Sequence, residues 1–264
     1  MVNGRILLYR LLHRISRMTG RRVTDDFDWA AYSLHYRGEL AGISKEHTLV
    51  LREGDYEFLD GALCQTRAGM LPLHPNHRLL YETILQLSPA SVFELGCGGG
   101  DHLSNIELLL PGVTLHAVDI SKQQLALLRK RHPRLSASVA AFDAKQRFPA
   151  NFPHVDVAYT QAVLMHIQTV DGHLIALENL FRTARRQVVL MENWTRHAFV
   201  DDIRRLHERR LIPWNELHFH FRESPELRKP HLMVVSAEPL PQYPRLEAYG
   251  QLTGAEDGRK FAAV

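Results

Sequence analysis

Apolar positions along the chain keep two different rhythms. Up to about residue 75 they recur at helical spacing. Leu8, Leu11, Leu12, Ile15 and Met18 share one face, with Arg10, Arg14, Arg17 and Arg21 along a neighbouring one. The segment 1–75 therefore reads as helical pieces and loops, closed by the proline-punctuated stretch Leu71–Asn76. Beyond it, short apolar runs alternate with amphipathic ones. The pattern predicts helices over His77–Leu87, Asp101–Leu109, Ser121–His132 and Asp171–Thr183, with Ser121 as an N-cap. It predicts strands over Ser91–Leu95, Thr114–Val118, Ser138–Phe142, Val155–Thr160 and Gln187–Glu192. Such alternation builds an α/β protein with a doubly wound, mostly parallel sheet and helices on both faces. After Val200 one more helix precedes Glu216–Phe221 and His231–Ser236, which read as a final antiparallel pair. The chain divides into a helical lid over 1–75, a core over 76–240 and a loosely attached tail over 241–264.

The chemistry-bearing signals lie at strand ends. Val92-Phe-Glu-Leu-Gly-Cys-Gly-Gly-Gly-Asp101 carries a buried strand into a glycine turn that opens a helix. Glycine at 96 or 98 lets the backbone pass close to a ligand and tolerates positive φ. Dinucleotide enzymes use a related turn. Here, however, the acidic Glu94 precedes the first glycine, and the spacing Gly96-x-Gly98-x-Gly100 is tighter than theirs. Asp119 ends the second strand, about twenty residues further on, where a carboxylate can accept hydrogen bonds from two vicinal ribose hydroxyls.

Over roughly Leu80 to Leu190 the sequence resembles the class I S-adenosylmethionine-dependent methyltransferases, whose first motif Glu94-Leu-Gly-Cys97-Gly-x-Gly closely matches. The resemblance implies a Rossmann-like fold, S-adenosyl-L-methionine as cofactor, and a transferase of its methyl group. It places Gly96 and Gly98, with Glu94 and Cys97 of the same turn, along the methionine and ribose part of the cofactor. It places Asp119 on the ribose, Ile120 and Phe142 against the adenine ring, and Asp143 near the adenine amino group. Gln161 follows the fourth strand, in the connection that runs under the methionine moiety. Trp29–Arg37, with Tyr32 and Tyr36, resembles the aromatic N-terminal segments that cover the cofactor and face the substrate. Arg78 is a candidate for the cofactor's carboxylate, since a guanidinium suits a two-pronged contact; a surface position at a helix start is the alternative.

Ligands of an open α/β sheet bind outside the carboxyl ends of the strands. His166, just past the fourth strand, is there a candidate base for an attacking hydroxyl, or else a structural histidine. Glu192, Asn193 and Trp194 end the fifth strand and either orient a polar acceptor or cap the strand. His218, His220 and Arg222 share one face of a later strand. They offer two rival bases and a surface for an anionic or sugar substrate. Two histidines, even joined by His231, make an incomplete metal site, so no metal is expected. The Asn/Asp-Pro-Pro-Tyr/Phe signature of exocyclic-amine methylation is missing after strand four. The expected acceptor is therefore a polar small molecule, through a hydroxyl of a sugar or other metabolite. RNA or protein methylation, and a non-catalytic cofactor-binding scaffold, are the alternatives.

Composition narrows the partners. The chain is 45% hydrophobic and 23% charged, as soluble globular proteins are. No apolar run reaches membrane-spanning length, and the start carries no secretory pattern. Only Cys64 and Cys97 are present, so no disulfide framework is expected and a cytoplasmic address fits. A net charge of +3 is too small to indicate nucleic-acid binding. The basic residues Arg204, Arg205, Arg209 and Arg210 alternate with Asp201, Asp202 and Glu208 as a solvated helix face does. Arg5, Arg10, Arg14, Arg17, Arg21 and Arg22 all precede the first acidic residue, Asp25. Beside the apolar stripe they fit peripheral contact with an anionic membrane, or a helix packed on the core or in a homodimer.

Overall fold

The structure, a computed structural model, describes residues 48–169, 171–223 and 232–248. Its centre is a seven-stranded sheet of β3 (Ser91–Leu95), β4 (Thr114–Asp119), β5 (Ala137–Ala141), β6 (Val155–Gln161), β7 (Ala184–Met191), β8 (His218–Arg222) and β9 (Leu232–Ser236). The spatial order is β5-β4-β3-β6-β7-β9-β8. The first five of these pair in parallel, while β9 runs antiparallel to both β7 and β8. The order turns back at β3, which pairs with β4 on one side and β6 on the other. Such a switch point opens a crevice at the carboxyl ends of the strands.

Helices cover both faces. α1 (Pro75–Leu87), α2 (Asp101–Leu109) and α3 (Lys122–Arg131) contribute Leu80, Ile84, Leu103, Ile106, Leu125 and Leu128 to one core, against Val92, Val157 and Val189. α4 (Gly172–Thr183) and α5 (Phe199–Glu208) contribute Leu177, Phe181, Ile203 and Leu206 to the other, against Phe93, Val188 and Leu190. Neighbouring strand residues thus enter opposite cores, which is why the strands read as continuous apolar runs. Ser121 caps α3 by accepting the Gln124 N–H at 3.2 Å, as its sequence position indicates.

Two parts differ from the sequence reading. Between residues 48 and 74 there is no helix; β1 (Tyr56–Leu59) and β2 (Ala62–Gln65) form an antiparallel hairpin. Its turn residues Asp60 and Gly61 have φ of 50° and 83°, the left-handed pair that an Asp-Gly turn supplies. Glu82 and Gln86 of α1 hold the hairpin, through the Leu63 N–H and the Gly61 carbonyl. The expected loose tail is also fastened where it is described. Leu240 and Tyr243 are buried, and Arg245 bridges to His220 of β8. The N-terminal stripe, Tyr32, Tyr36 and His231 lie outside the described residues.

Candidate active site

The crevice at the switch point is a cavity of about 650 Å³, within the roughly 300–1,000 Å³ typical of small-ligand sites. The glycine turn after β3 forms its floor. The N–H groups of Gly96 and Cys97 both reach the Val118 carbonyl, at 2.8 and 3.1 Å, so the turn is bound to β4. A Cβ on Gly96 would lie 2.4 Å from Val163 Cγ2, whereas one on Gly98 would meet nothing within 4 Å. Both have positive φ. Gly96 is needed for close packing within the protein, and Gly98 leaves open space at the cavity wall.

Acidic groups line this floor. Glu94 is 1% exposed, its Oε2 has no hydrogen-bond partner, and burial pushes its pKa up to about 8. The Tyr159 hydroxyl lies beside it, outside hydrogen-bonding geometry. Asp119 Oδ2 accepts the Gly98 N–H at 2.9 Å and Oδ1 accepts the Ser121 N–H at 2.7 Å. Burial raises the Asp119 pKa despite these two bonds. Asp101, also at the wall, is bound by Arg131 at 2.9 and 3.0 Å and by His132 at 2.6 Å. Ile120 is half-exposed in the cavity. Phe142 lies there too, edge-on to Phe148, and Asp143 accepts the Lys145 N–H at 3.0 Å.

The opposite wall follows β6. Gln161, Ala162, Val163 and His166 line the cavity, with Ala162 in a left-handed conformation at φ 51°. Glu192 does not line it. Its buried carboxylate accepts the Thr160 hydroxyl at 3.1 Å and the N–H groups of Val163, Leu164 and Met165 at 2.9, 3.1 and 3.0 Å. Burial outweighs these bonds and raises its pKa to about 7. From behind, Glu192 sets the loop on which Val163 and His166 sit.

Several candidates from the sequence are thus used elsewhere. Asn193 closes a turn by accepting from the Thr195 N–H and hydroxyl, and Trp194 packs in the core with α5; neither lines the cavity. His218 pairs with Glu216 at 3.0 Å. His220 is buried, with Nδ1 near the Tyr243 carbonyl and Nε2 accepting the Leu240 N–H. Arg222 bonds Thr83 at 3.0 Å and lies over the Tyr243 ring, tying β8 to α1. Arg78 pairs with Glu82 one turn along its own helix at 2.9 Å. All four lie away from the cavity lining, because β8 is the far edge strand and Arg78 lies on the outer side of α1, half-exposed.

The lining also includes residues the sequence does not mark. Thr48, His77 and His102 gather at one end. His77 is 5% exposed, its Nδ1 has no partner, and burial with His74 nearby lowers its pKa to about 4. No periodicity singles them out among sixteen histidines. Among the described residues no group of three or more His, Cys, Asp or Glu side chains is placed to hold a metal ion. Nor is any helix there long and apolar enough to cross a membrane.

The cavity lies at the switch point, floored by an acidic strand end and a glycine turn, with a carboxylate ending the next strand. Residues 93–189 match the family described as a methyltransferase domain. S-adenosyl-L-methionine is the cofactor that the sequence resemblance implies. Two features fit that group: the open position at Gly98, and the orphaned Glu94 Oε2, an acceptor suited to an ammonium donor. No curated protein matches the chain. Among solved structures it is similar to the N-methyltransferase NodS from Bradyrhizobium japonicum WM9, in complex with S-adenosyl-L-homocysteine. There the identity is 17% and the TM-score 0.46, over 63% of this chain and 89% of that one. It is also similar to the methyltransferase domain of a bacterial CtHen1, at 20% identity and TM-score 0.48 over 61% and 97%. CalS10, an amino pentose methyltransferase from Micromonospora echinaspora, gives 18% and 0.42 over 64% and 59%.

Proposed function

We propose that the chain is a class I S-adenosylmethionine-dependent methyltransferase that acts on a polar small molecule, through a hydroxyl of a sugar or other metabolite, in the cytoplasm. The observation that carries the reading is the position of His166. It is the one sequence-derived base candidate that lines the cavity, on the loop that Glu192 holds. When bound, the cofactor supplies an electrophilic methyl group. Asp119 would accept the ribose hydroxyls, Ile120 and Phe142 would flank the adenine ring, and Asp143 would take its amino group. Gly96, Cys97 and Gly98 would carry the ribose and methionine part, and Glu94 would receive the amino group. Gln161 and His166 would face the acceptor, with His166 taking the hydroxyl proton on its ring nitrogen. The rest of the rate comes from holding the acceptor oxygen in line with the methyl group.

The test is transfer from methyl-labelled S-adenosylmethionine to a mixed panel of sugars, hydroxylated metabolites, RNA and peptides. Label in a small hydroxylated compound is expected. Label confined to RNA or protein would overturn the acceptor reading, and cofactor binding without transfer to any class would favour a scaffold.

A further inference from the structure

The polar network behind the glycine turn has a forced direction. The Leu51 N–H can only donate, so the Asn105 atom 2.9 Å from it is Oδ1. The Asn105 amide nitrogen then gives its two hydrogens to the Leu49 carbonyl at 2.7 Å and the Tyr81 hydroxyl oxygen at 2.9 Å. Tyr81, accepting from Asn105, directs its own hydrogen to His102 Nδ1 at 2.7 Å. Burial above all holds the His102 pKa well below its usual value, so the ring is neutral and carries one hydrogen. With Nδ1 accepting, that hydrogen is on Nε2, which lies 3.3 Å from Thr48 Oγ1. Thr48 and His102 both line the cavity, beside Gln161, whose side chain approaches the His102 ring with its Oε1 outside hydrogen-bonding geometry.

We infer that His102 is held as its Nε2–H tautomer and, with the Thr48 hydroxyl, makes this end of the cavity a donor site for an oxygen of the bound ligand. The chemistry recognised is an oxygen acceptor, either a carboxylate of the cofactor or a carboxylate or hydroxyl of the methyl acceptor. Asn105 and Tyr81 are positioning residues that set the tautomer. His102 is thereby removed from any role as a base. The inference rests on the cavity being the ligand site, as the proposed function requires.

The experiment is a long-range ¹H–¹⁵N spectrum of histidine-labelled full-length protein near neutral pH, with His102→Gln to assign the ring. The expected pattern is a protonated Nε2 and a bare Nδ1 in the free protein. Tyr81→Phe removes the hydrogen aimed at Nδ1 and should move part of the population to the Nδ1–H form. Should that variant not fold, the wild-type pattern still decides. Ligand probes then separate the two sources. A downfield shift of the Nε2 proton with S-adenosylhomocysteine, absent with 5′-methylthioadenosine, which lacks the amino-acid end, assigns the site to the cofactor's carboxylate. A shift only when acetate or methyl glucoside is added to the S-adenosylhomocysteine complex assigns it to the acceptor. An Nδ1–H or doubly protonated His102 in the free protein overturns the inference, whatever the acceptor proves to be. So does an Nε2 proton that none of these probes moves. Label transferred to RNA or protein would contradict the acceptor reading while leaving the tautomer result standing.

Discussion

The Gly98 N–H donates to Asp119 Oδ2 at 2.9 Å, so the turn after β3 and the end of β4 form one continuous wall of the cavity. The same carboxylate serves the turn and, in the proposed function, accepts the ribose hydroxyls. Asp119→Ala removes both functions at once. Affinity for S-adenosylhomocysteine is expected to fall about 30-fold or more, since hydrogen bonds to a charged group contribute roughly 1.5–3 kcal/mol. Isothermal calorimetry on the folded variant checks this; an unchanged Kd would remove Asp119 from the cofactor site.

The two glycines of the turn should fail in different ways. Gly96→Ala drives a methyl group to 2.4 Å from Val163 Cγ2 and adds the strain of positive φ. A loss of about 2–4 kcal/mol in stability is expected. In Gly98→Ala the new methyl group meets no protein atom within 4 Å, and only the backbone strain of about 1–2 kcal/mol opposes folding. That variant should fold and lose cofactor affinity instead. Paired thermal melts and S-adenosylhomocysteine titrations separate the outcomes, and equal loss of stability in both would contradict the geometry.

Two buried carboxylates make stability depend on pH around neutrality. Folded Glu94 and Glu192 have pKa values raised to about 8 and about 7, from 4.5. Between the unfolded and folded values the folded state binds more protons, so stability falls as pH rises. Burial lowers the pKa values of His77, His102 and His197 from 6.5 and produces the opposite slope below that pH. Urea unfolding without cofactor should therefore show stability decreasing from about pH 6.5 to about pH 8.5. Glu94→Gln should flatten the upper part of that decline. A slope unaltered by the substitution would show that Glu94 is not the group responsible.

The three candidate bases should separate cleanly. His166→Gln is expected to lower kcat by about two orders of magnitude while leaving S-adenosylhomocysteine affinity near normal. His218→Gln should leave turnover unchanged, because its ring pairs with Glu216 away from the cavity. His220→Gln should lower the melting temperature through lost contacts to Tyr243 and Leu240, with kcat retained in the folded fraction. Once an acceptor is known, a pH–rate profile unchanged in His166→Gln would return His166 to a structural role.

Much of this protein was legible from residue order because the signals are local. Alternating strand and helix periodicity, the Ser121 cap and the glycine turn each depend on neighbours in sequence. Together they determine an α/β sheet with its cavity end marked by Glu94, Gly98 and Asp119. The Asp60-Gly61 turn was equally local, and it is the signal that would have revealed the hairpin between residues 56 and 65. What only the tertiary structure decided is which polar side chains face the cavity and which the fold consumes. Glu192 ends a strand at the ligand edge, yet three loop N–H groups and a hydroxyl converge on it from thirty residues away. His220 and Arg222 share a strand face as the alternation dictates, but that strand is the sheet's far edge, and their partners come from the C-terminal segment and α1. His77 and His102 reach the cavity because α1 packs against α2, a contact between segments twenty-five residues apart. Periodicity assigns a residue to a face of its own element. Only packing determines what that face meets, because burying a polar group demands a partner and the partner usually lies elsewhere in the chain.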